Sequence, residues 1–126
     1  MRVAYVDSSV VLAIAFAERG GPTLAKRLKR FPRLCSAPLL EAEVLAALRR
    51  EEQPLDEGWL DSLTWIHPER PLRQEISRVL KTGYLRGADC WHLATALYVA
   101  PNPRDLTFLT LDARQRDHAA ALGFAT

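Results

Sequence analysis

The chain alternates between short continuous apolar runs and longer segments in which apolar residues recur every three or four positions. A short apolar run is typical of a buried strand, and the longer spacing is typical of an amphipathic helix. The pattern predicts strands at residues 2–6, 34–36, 64–67, 107–111 and 123–125. It predicts helices at residues 10–17, 23–30, 39–50, 56–63, 71–81, 88–99 and 113–122.

Glycine and proline residues support several of these boundaries. Gly20 and Gly21 follow the first predicted helix, and Pro22 suits the start of the second. Because strands alternate with helices, we expect a central, mostly parallel sheet with helices on both faces, a three-layer α/β/α sandwich. The sequence shows no internal repeat or linker, so we expect one domain over residues 1–126.

Composition and length agree with one globular domain. The 126 residues are 48% hydrophobic and 25% charged, which is typical of an ordinary soluble protein with a single core. The apolar run near the start is interrupted by Asp7 and is shorter than the roughly 20 residues that cross a bilayer. We therefore expect no signal peptide or membrane segment and a cytoplasmic location. Cys35 and Cys90 are expected to be reduced core residues, without a disulfide or zinc site.

Three aspartates mark positions where predicted elements begin or meet. Asp7 and Asp112 each stand between a strand and a helix, and parallel sheets bind ligands in the crevice at these strand ends. Asp89 precedes Leu93 by four residues, so its side chain shares the apolar face of its helix. Each aspartate alone is also typical of a helix cap, which needs no further function. Their common placement favours a shared acidic site.

A glutamate on the third predicted helix can reach the same interior. Glu43 lies three residues after Leu40 and four before Ala47, beside the apolar face of that helix. Glu41 is an alternative, because periodicity alone does not choose between the two. The candidates are therefore three aspartates and one of two glutamates.

The candidate acids indicate a metal site. Clustered carboxylates repel one another and need a cation to stay charged at neutral pH. Oxygen ligands alone favour Mg²⁺ or Mn²⁺ over zinc, and the three histidines lack ligand-like spacing. We expect His67, His92 and His118 to be structural or exposed. Such an ion can activate a water for attack on a phosphodiester. Ser9 and Thr110 could hold metal-bound waters or a phosphate oxygen, or could only cap helices and turns.

Four segments contain these acids. They are Val-Asp-Ser-Ser at 6–9, Glu-Val-Leu-Ala-Ala-Leu at 43–48, Ala-Asp-Cys-Trp-His-Leu-Ala-Thr-Ala-Leu at 88–97 and Thr-Phe-Leu-Thr-Leu-Asp at 107–112. In residues, order and spacing they resemble PIN-domain ribonucleases, especially VapC-type toxins. The likeness runs from the first strand to residues 121–124, and the combination is specific where a single motif is not.

This resemblance implies a metal-dependent endoribonuclease with catalytic Asp7, Glu43, Asp89 and Asp112. Asp7, Asp89 and Asp112 would hold Mg²⁺, with Mn²⁺ as a substitute, and Glu43 would order the attacking water. Glu43 is preferred to Glu41 because the aliphatic run follows it directly. The resemblance also implies a homodimer and a small antitoxin protein that inhibits the enzyme.

We expect RNA contacts from basic side chains around the pocket. The formal net charge of +2 does not settle the function, although arginine suits phosphate recognition. The candidates are Lys26, Arg27, Lys29, Arg30, Arg33 and, near Asp89, Arg86. A solvated face explains the same residues without RNA. Asp117 is similarly either a fifth carboxylate of the site or an exposed helical acid.

Other proteins with acids at strand ends fit the sequence less well. An aspartate-dependent phosphatase needs two aspartates one residue apart after the first strand, where this chain has Asp7-Ser8-Ser9. A receiver domain needs an acidic pair and a later strand-end lysine. Two alternatives stay open: an RNA-processing PIN nuclease without an antitoxin, and a catalytically inactive module that binds RNA or protein with the same fold.

Overall fold

The computed structural model describes residues 2–54 and 57–126, and this part of the chain contains a four-stranded sheet. The strands are β1 (Val3–Val6), β2 (Arg33–Ser36), β3 (Thr64–Trp65) and β4 (Thr107–Leu109), in the spatial order β3-β2-β1-β4. Every neighbouring pair is parallel. The predicted parallel sheet is therefore confirmed, with β1 and β2 as its inner strands.

Helices occupy most of the remaining described chain. They are α1 (Ser8–Ala15), α2 (Gly21–Leu28), α3 (Pro38–Arg50), α4 (Glu57–Asp61), α5 (Arg73–Leu80), α6 (Gly87–Val99) and α7 (Ala113–Leu122), with a 3₁₀ turn at Pro103–Asp105. The predicted helix at residues 56–63 begins outside the described residues. Helix α1 begins two residues before its predicted start, because Asp7 caps it.

The last two strands are shorter than the sequence pattern predicts. β4 ends at Leu109, because the backbone beyond it forms hydrogen bonds with side chains and not with the neighbouring strand. The amide of Leu111 donates to Ser9 Oγ over 3.0 Å. The strand predicted at residues 123–125 is reduced to one parallel bridge between Ala125 and Thr107. The first difference arises from a contact between residues 102 positions apart in the sequence.

The alternation of side chains along β1 divides the core between the two faces of the sheet. Tyr5 points to one face, where Phe108 and Leu93 of α6 belong to the same buried cluster. Val6 points to the other face and packs in a second cluster with Val44 of α3. Helices therefore cover both faces, which confirms the predicted three-layer α/β/α sandwich.

Two further predictions concern the cysteines and the membrane. Cys35 and Cys90 are both free and buried, and burial raises the pKa of the Cys35 thiol to about 12. Among the helices in residues 2–54 and 57–126, none is long and apolar enough to cross a membrane. The cysteines are thus core residues, as the sequence predicts.

The carboxyl ends of β1 and β4 lie level with each other. Val6 and Leu109 are partners in the sheet, and the amide of Asp7 donates to the carbonyl of Leu109 over 2.9 Å. Asp112 follows Leu109 by three residues and precedes α7. The two strand ends therefore bring Asp7 and Asp112 to the same edge of the sheet.

Candidate active site

Asp7 is buried directly behind the end of β1. Its Oδ2 accepts hydrogen bonds from the Ser9 amide at 3.1 Å, the Ser9 hydroxyl at 2.6 Å and the Thr110 hydroxyl at 3.2 Å. The amide contact caps α1, so Asp7 is a helix cap, as is typical of an aspartate between a strand and a helix. The two hydroxyls hold the carboxylate in one orientation, so Ser9 and Thr110 act on Asp7 itself.

Asp112 has the equivalent position at the start of α7. Its Oδ1 accepts a hydrogen bond from the Gln115 amide at 2.8 Å, and its own amide donates to Thr110 Oγ1 at 3.1 Å. Asp112 is therefore also a helix cap. Capping and a place in a functional site are compatible here, because the cap fixes each carboxylate at the carboxyl edge of the sheet.

Gln115 is a fully buried polar residue that connects three elements of the site. Its Oε1 accepts from the Thr110 hydroxyl over 2.7 Å, and its Nε2 donates to the carbonyl of Asp89 over 3.4 Å. Since Thr110 has a single hydroxyl proton, that proton points either to Gln115 or to Asp7. Gln115 thereby ties α7 to the end of β4 and to the first turn of α6.

Asp89 lies in the first turn of α6 and is largely buried. Burial raises the pKa of this carboxyl, and the negative charges of Asp7 and Asp112 raise it further. Arg86 opposes them by donating from Nε and Nη2 to Asp89 Oδ2, both at 3.3 Å. The three aspartates, which come from three different elements, are therefore within electrostatic reach of one another.

Glu43 is connected to these aspartates through His92, which is fully buried. His92 Nε2 lies 2.6 Å from Glu43 Oε1 and 4.0 Å from Asp7 Oδ1. His92 Nδ1 lies 2.7 Å from the hydroxyl of Tyr5, which also accepts a hydrogen bond from the Ala37 amide at 3.1 Å. Glu43 from α3 thus reaches the same edge of the sheet as the aspartates.

The contacts of His92 allow a continuous chain of hydrogen bonds from Tyr5 to Glu43. Burial raises the pKa of Tyr5, so its hydroxyl keeps its proton and can donate it to His92 Nδ1. An imidazole that accepts at Nδ1 carries its proton on Nε2 and donates it to Glu43.

The structure separates the predicted site residues into two groups. Asp7, Glu43, Asp89 and Asp112 lie at the carboxyl edge of the sheet, and we call these four residues the acidic edge. Glu41 and Asp117 are exposed. Of the two glutamates on α3, it is therefore Glu43 that faces His92.

Sequence reasoning missed three residues that organise the acidic edge. His92 was expected to be structural or exposed, yet it bonds to Glu43. Its spacing offered one signal, because it follows Asp89 by three residues and so shares a face of α6. Nothing in the sequence indicated Tyr5 or Gln115, since an apolar strand and a polar helix are common settings for these residue types.

The fit of a metal ion can be judged from the chemistry and placement of the acids. Four carboxylates suit a hard cation, and a bound cation would offset the charges of Asp7 and Asp112, which add to the effect of burial on the pKa of Asp89. Among the described residues, no three His, Cys, Asp or Glu side chains are placed to hold an ion together. The sequence predicts one gathered pocket, and the structure shows the four acids along one edge of the sheet.

The basic residues expected around the pocket are placed differently from the prediction. Arg33 begins β2, Arg27 Nη2 donates to the carbonyl of Thr126, and the carbonyl of Arg30 accepts from Arg2. These contacts lie at the amino ends of the strands, opposite the acids, so the expected position of Arg27, Arg30 and Arg33 was wrong. The sequence could not show this, because helix α2 and its loop carry the chain from one edge of the sheet to the other.

Two other arginines lie next to the acids. Arg86 pairs with Asp89, and Arg116 Nη2 donates to the carbonyl of Thr110 over 2.9 Å. Arg86 was among the predicted residues, whereas Arg116 was not. The positive charge beside the acidic edge therefore comes from the first turns of α6 and α7.

The fold and the site define an α/β domain of the class that places its functional groups in a crevice at strand ends. The profile of the PIN domain family matches residues 4–121, which is nearly the whole chain. The chain therefore belongs to the PIN domain family, whose members are generally metal-dependent nucleases. Comparison with curated proteins gave no match.

Proposed function

We propose that this protein is a Mg²⁺-dependent endoribonuclease that hydrolyses RNA at the acidic edge, and that Mn²⁺ can replace Mg²⁺. The observation that carries the proposal is the meeting of three aspartates from three elements at the carboxyl edge of the sheet, where burial and, beyond it, the charges of Asp7 and Asp112 raise the pKa of Asp89. Carboxylates placed close enough to repel one another are typical of a site that binds a cation. Membership of the PIN domain family supports the same reaction.

Asp7, Asp89 and Asp112 are the proposed metal-binding residues. Asp7 Oδ2 faces the amide of Ser9 and the hydroxyls of Ser9 and Thr110, and Oδ1 lies on the side of His92. When bound, the ion would lower the pKa of a water and neutralise charge on the phosphate. Ser9 and Thr110 would keep Asp7 oriented, so we propose positioning roles for their hydroxyls.

Glu43 is the proposed residue that orders the attacking water. Its Oε1 is bound to His92, and the side chain is 27% exposed, so its second carboxylate oxygen can accept a hydrogen bond from water. A carboxylate held in this way can orient a water and take up its proton. Arg86, which is largely exposed beside Asp89, is positioned to attract the RNA phosphate.

We further propose that the enzyme is the cytoplasmic toxin of a toxin-antitoxin pair and forms a homodimer. This part rests on the resemblance of the four motifs to VapC-type toxins. An RNA-processing nuclease without an antitoxin is the alternative within the family. The toxin role predicts a small open reading frame next to this one. Expression of the chain in a host, with and without the product of such a reading frame, separates these two roles through growth arrest and its relief.

The proposed activity is tested by incubating the purified protein with a pool of structured and single-stranded RNA, in Mg²⁺, in Mn²⁺ and in EDTA. We expect cleavage only with metal, and none from Asp7→Asn, because an amide is a poorer ligand for a hard cation. Asp117→Asn is the matched control, since Asp117 is an exposed acid on α7. Metal-independent cleavage, or full activity of Asp7→Asn, would show that the assignment is wrong.

The same experiment addresses an inactive binding module, which is the alternative suggested by acids that do not converge on one point. RNA that binds without being cut in either metal would favour that module. Cleavage that disappears in Asp7→Asn and persists in Asp117→Asn would favour the nuclease.

A further inference from the structure

An exposed tyrosine lies beside the acidic edge. In the described part of the chain the exposed large hydrophobic residues are Leu80, Tyr84 and Leu111, and Tyr84 is 69% exposed. Tyr84 precedes Arg86 by two residues, and Arg86 is paired with Asp89. Leu111 directly precedes Asp112 and bonds through its amide to Ser9. Two of these apolar surfaces therefore border the acids.

The backbone that presents Tyr84 is fixed on both sides. Thr82 Oγ1 lies 2.6 Å from His118 Nδ1 on α7, and Leu85 is buried in the core. Gly83 has a φ of +130°, and a Cβ at that position would lie 3.0 Å from His118 Cε1. The loop can approach α7 this closely because residue 83 is a glycine. Tyr84 is thus held outwards by an ordered loop.

Positive charge accompanies the Tyr84 ring. The guanidinium carbon of Arg114, in the first turn of α7, lies 6.0 Å from the ring centroid, which is a cation–π distance. Arg86 is largely exposed two residues further along the chain. An exposed aromatic ring with one arginine on it and a second nearby in the chain is unfavourable for packing against another apolar surface but matches a base with its flanking phosphates.

We propose that Tyr84, backed by Arg114, is a stacking platform for one unpaired base of the RNA, next to the phosphate that lies at the acidic edge. This inference rests on the proposed function and names a residue that would bind one base of its substrate. An unpaired base can offer its whole face to an aromatic ring, whereas in a duplex that face is already stacked on the neighbouring bases. Arg86 and Arg114 then neutralise the phosphates on either side of the stacked base.

Binding of RNA without cleavage tests the platform. The probe is a short, fluorescently labelled single-stranded RNA, and its anisotropy is measured in EDTA with wild-type protein, Tyr84→Phe and Tyr84→Ala. We expect Tyr84→Ala to weaken binding by about 5-fold to 100-fold and Tyr84→Phe to bind like the wild type, because stacking needs the ring and not the hydroxyl. Binding of a duplex of the same sequence should not depend on residue 84.

Tyr98→Ala is the control for loss of a tyrosine that is paired with an arginine. Arg70 lies 5.3 Å from the Tyr98 ring, but Tyr98 is half-buried against the core and lies near the other end of α6. We expect this substitution to leave RNA affinity unchanged. A thermal melt of each variant shows that the comparison is made on folded protein.

RNA with a single abasic nucleotide, moved along the strand, locates the stacked base. At the platform position the abasic RNA should bind wild-type protein more weakly and should show no further loss with Tyr84→Ala, because the two changes remove the same contact. If the loss of affinity from the abasic nucleotide and the loss from Tyr84→Ala add at every position along the RNA, the proposal is wrong.

The outcomes separate the platform from the proposed nuclease activity. If RNA is cleaved and Tyr84→Ala binds and cleaves like wild type, the platform is wrong and the nuclease stands. If binding depends on Tyr84 but no metal supports cleavage, the platform stands and the nuclease is wrong. If Tyr84→Ala converts dimers to monomers and leaves RNA affinity unchanged, the ring is a contact between copies of the chain, and the platform is wrong.

Discussion

His92 Nε2 and Glu43 Oε1, 2.6 Å apart, join the two helical layers of the sandwich across the carboxyl edge of the sheet. His92 lies on α6, which packs with Tyr5 on one face, and Glu43 lies on α3, which packs with Val6 on the other. A residue that holds a carboxylate at the junction of two layers fixes its orientation. This contact therefore determines where Glu43 can act.

Replacement of His92 by phenylalanine should reduce both stability and turnover. The change removes both ring nitrogens and leaves Glu43 and the buried Tyr5 hydroxyl without this partner. We expect the free energy of unfolding to fall by about 1–3 kcal/mol. We expect kcat to fall with little change in KM, because Glu43 loses its orientation while the RNA-binding surface is retained. His92→Gln, whose amide can still donate to Glu43, should keep more activity; equal loss in both variants would contradict a positioning role.

Glu43→Gln and Glu41→Gln form a matched pair on α3. We expect Glu43→Gln to lower kcat by about 10²-fold to 10⁴-fold, as for loss of a group that accepts a proton in the reaction. Glu41 is exposed and faces away from His92, so Glu41→Gln should cleave RNA at the wild-type rate. Single-turnover cleavage under saturating protein measures the difference. A comparable loss in the Glu41 variant would show that the glutamate was wrongly chosen.

Asp112 allows capping to be separated from metal binding. Asparagine is a good helix cap, so Asp112→Asn should retain most of the stability of α7, whereas Asp112→Ala should lower the free energy of unfolding by about 1 kcal/mol. Both variants should lose activity, because both lack the carboxylate. Urea unfolding and RNA cleavage are measured on the same preparations. An active Asp112→Asn would mean that Asp112 serves only as a cap.

The stability of the metal-free protein should depend on the protonation of Asp89. Burial and the charges of Asp7 and Asp112 raise the pKa of this carboxyl above its ordinary value of 3.8, against the effect of Arg86. The folded state then binds the proton more tightly than the unfolded state does. The free energy of unfolding therefore falls as pH rises from about 3.8 through the raised pKa.

Asp89→Asn has no carboxyl to titrate and should lack this decrease. In EDTA at neutral pH we expect the variant to be at least as stable as the wild type, with the advantage disappearing at low pH. Urea unfolding over a series of pH values measures the difference in the free energy of unfolding between Asp89→Asn and the wild type. If Asp89→Asn is clearly less stable at neutral pH, the ion pair with Arg86 outweighs the repulsion and this account of Asp89 is incorrect.

Addition of Mg²⁺ or Mn²⁺ should raise the melting temperature of the wild-type protein. A ligand that binds only the folded state stabilises it by about 2.7 kcal/mol at one hundred times its dissociation constant. The shift should disappear in Asp7→Asn and persist in Asp117→Asn. A similar shift in both variants would indicate that the ions bind away from the acidic edge.

The sequence by itself determined most of the architecture and the candidate acids. Apolar periodicity is a local property, so it located β1 and α6 well, and the alternation of elements was sufficient to predict a parallel three-layer fold. Asp7 and Asp112 were recognisable because strand ends in such a fold meet at one edge. Periodicity also shows which face of a helix is buried, but it does not show what lies opposite that face.

Only the tertiary structure decided which partners the acids have. Glu43 and His92 are 49 positions apart, and Asp7 and Thr110 are 103 apart, so no local pattern relates them. The fold places Glu43, and not the exposed Glu41, against His92, and it places Arg33 at the opposite edge of the sheet from the acids. The physical reason is that hydrogen bonds and charge repulsion depend on distances in space, which the packing of both helical layers against the sheet sets.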